Sequence, residues 1–380
     1  MKLAVYSPAI ELVRQTEALD LLLSSHDVHS VIIRSANPHA FELAKSKGLE
    51  AWWLAPGLWG NVDVGKGQAA VFPDVPGWKK DNALYYEGQW PMLCPTDPAL
   101  PGMLADHYAA TSRLLGADGI YGTHLRFHHP ADISHLWGCV CTRCQEQMKR
   151  YGLSLEELQL FWMRLRQGLQ SIPVESWATP APGQTAYHRL VAWWASVADM
   201  DFPLRWFKWK NEVLGLFLKR LKEAYQATGL NHPWITNSFE PILAPLAGHH
   251  PDALHYSDWY SPLLGYWPTH LWQSVLNIAL WHSRLIHSAE FSPVLSAFEQ
   301  ILGHDGAVSH PMKTLREELM LGKEISNRLG LPYWPVLNGT SQSLVPISIA
   351  MKCAEEAGAC GIVLQGISQL LGNQALDQWF

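Results

Sequence analysis

An α/β barrel of eight parallel strands is the fold class this sequence predicts, and two observations point to it. Short apolar runs alternate with helical runs along all 380 residues, as a parallel sheet flanked by helices requires. The first strand-to-helix turn, Ser7-Pro-Ala-Ile-Glu-Leu12, has no glycine-rich phosphate loop, which argues against the rival doubly wound open sheet. The expected (β/α)8 barrel forms a single domain over 1–380, with long insertions after the third and fourth strands, at about 57–117 and 139–232.

The strand candidates, in order, are Leu3–Ser7, His29–Ser35, Glu50–Ala55, Gly119–Phe127, Trp234–Phe239, Ala253–Tyr260, Leu285–Phe291, Tyr333–Leu337 and Gly361–Gln365. Most are short, apolar and closed by Pro, Gly, Asn or Ser, as buried parallel strands are. A barrel needs eight, so one of these is surplus or belongs to a loop. Between them, Val213, Phe217, Leu221 and Tyr225 recur every fourth residue and make one helix face, with Gly229 as its stop. Ser154 followed by Glu157 reads as a capping box for the helix through Leu158 and Leu165. Leu315, Leu319 and Leu329 mark another helix, ending near Gly330.

Composition narrows the function classes. The formal net charge is −6 and the 28 Lys and Arg are scattered, so there is no electrostatic footprint for nucleic acid. No run of eighteen apolar residues occurs, so no membrane span is expected. The start, Met1-Lys-Leu-Ala-Val-Tyr-Ser-Pro8, reads as a strand rather than a signal peptide, and a cytoplasmic protein with reduced thiols is the expectation. Cys353 and Cys360 are expected as buried free thiols. Nineteen Trp stand out. Many, including Trp52, Trp53, Trp59, Trp90, Trp137, Trp234, Trp259, Trp267 and Trp334, sit beside turn residues. A loop Trp offers a flat apolar face and one N–H donor, which suits a sugar ring. Core packing is the plainer use of the same residues.

Four of the six cysteines form a pattern. Cys139, Cys141 and Cys144 make a C-x-C-x-x-C cluster, and Cys94 lies upstream in a Cys-Pro turn. Four thiolates close a tetrahedral Zn²⁺ site, and such closed sites are structural because they leave no position for water. Iron–sulfur spacings are usually wider, and the expected compartment disfavours disulfides.

The segment Gly138-Cys-Val-Cys-Thr-Arg-Cys-Gln-Glu-Gln-Met-Lys-Arg-Tyr-Gly152, with Cys94 upstream, resembles glycoside hydrolase family 42 β-galactosidases and related barrel glycosidases. The matching pieces cover roughly residues 90–152. The resemblance implies a (β/α)8 barrel, a structural zinc and retaining hydrolysis by two carboxylates. It also implies a carbohydrate substrate, and a homo-oligomer is compatible with it, since related barrel enzymes are often oligomers. One departure is clear. That family places an Asn-Glu pair at the end of the fourth strand, whereas Tyr121-Gly-Thr-His-Leu-Arg-Phe-His-His-Pro130 contains no carboxylate. The stretch is closer to the Asp-Tyr-Ile-Arg-Tyr-Pro type of other barrel glycosidases, with Arg126 retained and the Asp replaced by His124 or Thr123.

Barrel chemistry draws on the C-terminal ends of the strands, and three carboxylates fall at the ends of strand candidates. Glu290 is the expected nucleophile, because it falls near the seventh strand, where family 42 places its own. Glu240 is the candidate acid/base, and Asp258 a hydroxyl binder or substitute acid. Substrate-binding candidates are Arg34, Trp53, Trp59, His124, Arg126, His128, Asn237, Trp259, Tyr260, His287 and Asn338. Arginines supply forked donors and amides both donate and accept, as sugar hydroxyls require. Gln365, Asn61 and Asp63 are placed near the same mouth. His129 and His255 add to the crowd of histidines, a group that titrates near neutral pH. The sequence therefore poses a glycoside hydrolase, with two alternatives: a carbohydrate-binding barrel with altered catalysis, or a metal-dependent lyase or isomerase using the rim histidines.

Overall fold

The structure is a computed structural model describing residues 2–7, 16–34, 36–58, 67–78, 91–128, 132–177, 185–264, 271–288, 290–302, 311–340, 343–366 and 370. Eight parallel strands, β1 (Lys2–Ser7), β2 (Val28–Ile33), β3 (Glu50–Ala55), β4 (Gly119–Gly122), β5 (Trp234–Ser238), β6 (Tyr260–Leu264), β7 (Val336–Asn338) and β8 (Gly361–Gln365), close into a barrel in sequence order. β1 completes the ring by pairing with β8, Tyr6 opposite Gln365.

Eight of the nine expected strands are present, and the surplus one is Leu285–Phe291. Leu285 ends helix α10 (Leu271–Leu285), and Ser292 opens α11 (Ser292–Leu302). Of this run only Leu285 is helical, and Ile286 and Phe291 lie in the connection between the two helices. The sixth strand is also displaced: Ala253 and Leu254 lie in a one-turn helix, and the strand begins only at Tyr260. This reverses the end of the barrel at which Asp258 sits.

Helices α1 (Thr16–Ser25), α2 (Pro38–Ser46) and α3 (Leu100–Leu115) follow the first three strands. The β4–β5 connection carries α4 (Ile133–Leu136), α5 (Thr142–Lys149), α6 (Leu155–Ser171), α7 (Ala186–Ala198) and α8 (Phe202–Ala227). Then come α9 (Pro251–Leu254), the two helices already named, α12 (Pro311–Leu329) and α13 (Ile347–Glu356). α6 starts as its capping box requires, with Ser154 Oγ accepting from Glu157 N at 3.1 Å. α8 buries Val213, Phe217, Leu221 and Tyr225. Among the described residues no helix is long and apolar enough to cross a membrane. Cys353 is buried, but Cys360 is exposed, because it stands in the turn just before β8.

The tryptophans are mostly core. Trp137 lies 5.9 Å from Trp194 and 6.0 Å from Trp281, ring centre to ring centre, and its carbonyl accepts from Trp206 Nε1 at 3.0 Å. The β4–β5 and β6–β7 connections thus share one aromatic core beside the barrel.

A second aromatic group fills the N-terminal end of the barrel. Trp259 stacks on Trp334 at 4.2 Å and packs against Trp52 at 4.8 Å. Glycines on the neighbouring strands make the room. A Cβ on Gly119 would lie 2.6 Å from the Trp52 ring, and one on Gly361 2.4 Å from Trp334. Glu50 accepts from Trp52 Nε1 at 2.9 Å at the same mouth. One end of the barrel is therefore closed by rings, which leaves the C-terminal end for chemistry.

Candidate functional site

Polar side chains gather inside the barrel's C-terminal half. Neighbours in a strand ladder point to the same side, so the Tyr6, Gln365 and Asn338 register puts three polar groups on one inward layer. Deeper, Asn237 Nδ2 donates to Tyr121 Oη at 3.1 Å and to Ser261 O at 3.2 Å. The Tyr121 and Ser261 hydroxyls share a hydrogen bond at 2.7 Å. Burial raises the Tyr121 pKa, opposed by the bonds to Ser261 and Asn237. Burial also pushes Tyr6 up to about 12, opposed by the positive charge of Arg34. Both phenols stay protonated donors at neutral pH. Arg34 stands exposed where β2 ends.

The exits of β3, β4 and β5 are tied together. Leu58 N donates to His124 O at 2.9 Å, and a Cβ on Gly57 would lie 2.2 Å from the Thr123 carbonyl oxygen, so only glycine allows the approach. His124 takes φ 56°, a left-handed conformation that is costly outside glycine. Next, Phe127 N donates to Ala247 O at 3.0 Å. His249 Nε2 donates to Leu125 O at 3.0 Å. Burial and then the Arg126 charge hold His249 down to about 3, so it is neutral.

Glu240 lies in the segment that leaves β5. It follows β5 by two residues, is 1 % exposed, and its carbonyl caps the turn through Leu243 N and Ala244 N. The Arg126 guanidinium, also buried, lies 4.8 Å over the ring of Phe239, its chain neighbour. Beneath, the buried Lys210 Nζ donates to Leu246 O at 2.6 Å, Leu136 O at 2.7 Å and His135 O at 3.2 Å. Three carbonyl acceptors use all three N–H groups of an ammonium. Burial pulls the Lys210 pKa well below the usual lysine range. Lys210 thus pins the β4 exit loop to the β5 exit loop that carries Glu240.

Several expected site residues lie elsewhere. Asp258 is at the opposite end of the barrel, where its Oδ2 accepts from Trp234 N at 2.6 Å and from Lys222 Nζ at 2.9 Å. Trp259 is in the aromatic plug there. Tyr260 stacks on Tyr333 in the layer between the barrel and its outer helices, and His255 precedes it at the same end. Glu290 is exposed in the turn between α10 and α11, with its N–H on Ser288 Oγ. His287, in the same turn, accepts from Arg166 Nη2 at 2.9 Å. Trp53 faces outward onto α3, edge-on to His107 and Tyr108. By contrast Arg34, His124, Arg126, His128, Asn237, Glu240, Asn338 and Gln365 all belong to the C-terminal end. Trp59, Asn61, Asp63 and His129 lie outside the described residues.

Sequence reasoning missed Tyr6, Tyr121, Ser261, His249 and Lys210. Lys210 had a readable signal: it interrupts the apolar stripe Trp206, Val213, Phe217, and a charge on a buried face needs fixed partners.

The cysteines do converge. Cys94, Cys139, Cys141 and Cys144 are buried, with all sulfurs within 4.8 Å of one another. Cys94 Sγ is 3.5 Å from Cys144 Sγ and 3.6 Å from Cys141 Sγ. Four sulfurs at ~2.3 Å from one ion would stand ~3.8 Å apart at tetrahedral corners, so this donor set fits a thiophilic metal ion. Hydrogen bonds from Cys139 and Cys144 hold the Cys94 thiol far below its usual range. Cys144 is pushed up by its bonds to Cys139 and Cys94 and by burial. A bound cation would stabilise the thiolate form of its cysteine ligands. Among the described residues, no other group brings three such ligands together.

No protein-family model matches the chain, and no curated protein matches it. Among solved structures it is similar to an agarase, AgWH50C, with a TM-score of 0.40 and 9 % identity over 88 % of this chain. The chain spans 40 % of that structure's length.

Proposed function

We propose that this chain is a carbohydrate-active barrel, a glycoside hydrolase related to family 42, in which Glu240 is the acid/base carboxylate. The observation that supports this reading is a carboxylate, Glu240, buried two residues after β5, at the same end of the barrel as the hydrogen-bonded group of Asn237, Tyr121 and Ser261. Among the described residues it is the sole carboxylate that directly follows a barrel strand. Arg126 and Arg34 supply the cations at that end, and Asn237, Asn338, Gln365, Tyr6 and Tyr121 supply donors and acceptors for hydroxyls. Hydrolysis requires a second carboxylate about 5–9.5 Å from the first. Neither Asp258 nor Glu290 is placed to serve.

The four cysteines are proposed to hold structural Zn²⁺, supported by the C-x-C-x-x-C resemblance and by the four converging sulfurs. Four protein ligands leave no position for a reacting water, so the ion has no catalytic step here.

The displacement of Asp258 and Glu290 favours a second reading, a barrel that binds carbohydrate without cleaving it. Incubation with a panel of oligosaccharides, assayed for new reducing ends and by calorimetry, separates the two. Reducing ends that appear in proportion to protein support hydrolysis. Binding heats with no product support the second reading, and neither signal with any sugar rejects both.

A further inference from the structure

We propose that the four-cysteine centre positions an aromatic strap, residues 67–78, on the buried His128–His135 pair, so that metal occupancy is transmitted to those imidazoles through Phe72. The inference rests on the metal-binding part of the reading above.

The first half of the strap is tied to the centre. Cys94 N donates to Gln68 O at 2.8 Å, and Ala69 forms an antiparallel bridge with Leu93. Val71 N–H points at Cys139 Sγ, 3.3 Å away, while Val71 O accepts from Val140 N at 2.6 Å. Both backbone groups of Val71 are therefore spent on the cysteine loop.

The second half lies on the loop that leaves β4. The Phe72 ring centre is 3.9 Å from that of His135 and 6.3 Å from that of His128. The two imidazoles stack on each other at 4.3 Å and 22°. Further along, Trp78 Nε1 donates to Asp132 Oδ1 at 2.9 Å, and Asp132 Oδ2 is 3.9 Å from His135 Nε2.

The residue that touches a cysteine sulfur and the residue that touches the histidines are thus neighbours in sequence. A planar peptide joins them, so a shift of Val71 reaches Phe72 with little room to dissipate. An ion shared by the four cysteines would hold Cys139 Sγ, the acceptor of the Val71 N–H, at a fixed point against the other three sulfurs. Loss of the ion weakens the tether at the point where the strap turns toward the rim.

The test uses the full chain with histidine ring carbons labelled for NMR, and the His128 and His135 signals assigned through His128→Gln and His135→Gln. Zinc content is measured before chelation, after chelation and after adding zinc back. The expected result is that both signals move when zinc leaves and return when it is restored, while His29 at the opposite mouth stays in place. In Phe72→Leu, zinc should bind as before but its removal should no longer move the pair. Three results overturn the proposal: unmoved signals despite confirmed metal loss, equal movement in Phe72→Leu, or collapse of every histidine signal together. A chain that takes up no metal overturns both this inference and the metal-site reading, and is told apart by the metal content alone.

Discussion

Trp194 donates its indole N–H to His282 across the junction of the β4–β5 and β6–β7 connections, at 2.9 Å and with the two rings 4° from parallel. Since His282 Nε2 accepts, the ring proton is on Nδ1, which donates to Ile278 O at 2.7 Å. The imidazole is neutral and its tautomer is fixed by its partners.

Acid should loosen this junction. Burial takes His282 down to about 3 from an ordinary value of 6.5, against the opposing pull of the Ile278 carbonyl. Between those values the unfolded chain binds a proton that the folded chain refuses. The contribution to stability is therefore complete above about 6.5 and declines as pH falls toward 3, by about 1.4 kcal/mol per unit. Urea unfolding at several pH values should show a slope in His282→Gln shallower than wild type by about that amount. Equal slopes would refute the assignment.

Lys210→Met should be strongly destabilising. The substitution keeps the stem but takes the donor from the carbonyls of Leu136 and Leu246, while His135 O keeps Gly138 N at 3.0 Å, and each unsatisfied buried acceptor costs about 1–3 kcal/mol. The expected loss is at least ~2 kcal/mol in equilibrium unfolding. A change under ~1 kcal/mol would mean that the ammonium does not hold the two loops.

Gly361→Ala tests the aromatic plug. The added methyl would lie 2.4 Å from the Trp334 ring, which is itself held by Trp259. Overpacking of this kind costs about 1–3 kcal/mol, and a crystal structure or stability measurement showing neither strain nor ring displacement would contradict it.

The thiolate centre should be acid-labile. Cysteine ligands bind metal as thiolates, so protons compete with the ion and affinity falls as pH falls. Dialysis at decreasing pH should release zinc, and Cys94→Ser should raise the pH at which it leaves. A zinc content independent of pH down to the point of unfolding would argue against thiolate ligation.

The barrel rhythm was legible because buried parallel strands are short apolar runs between helices, and eight of the nine candidates correspond to strands. Leu285–Phe291 imitates a strand because apolar residues of an interhelical connection, Ile286 and Phe291, follow the last helical residue Leu285 and precede Pro293, which reads as a stop signal. The consequences were large. Assigning Glu290 to a seventh strand put a surface carboxylate at the rim, and starting the sixth strand too early moved Asp258 from one end of the barrel to the other. The cysteines were readable because three thiols in six residues need a shared purpose. The pairing of Tyr121 with Ser261 and Asn237 was not, since it depends on the register between three strands.

The most direct test of the account compares Glu240→Gln with Glu290→Gln on whichever glycoside the wild type cleaves. Glu240→Gln should lower kcat by at least about a hundredfold, as removal of a general acid/base does, while Glu290→Gln stays within about twofold of wild type. Full activity in Glu240→Gln, or loss of activity in Glu290→Gln with the fold intact, would contradict the placement of the chemistry at the β5 exit.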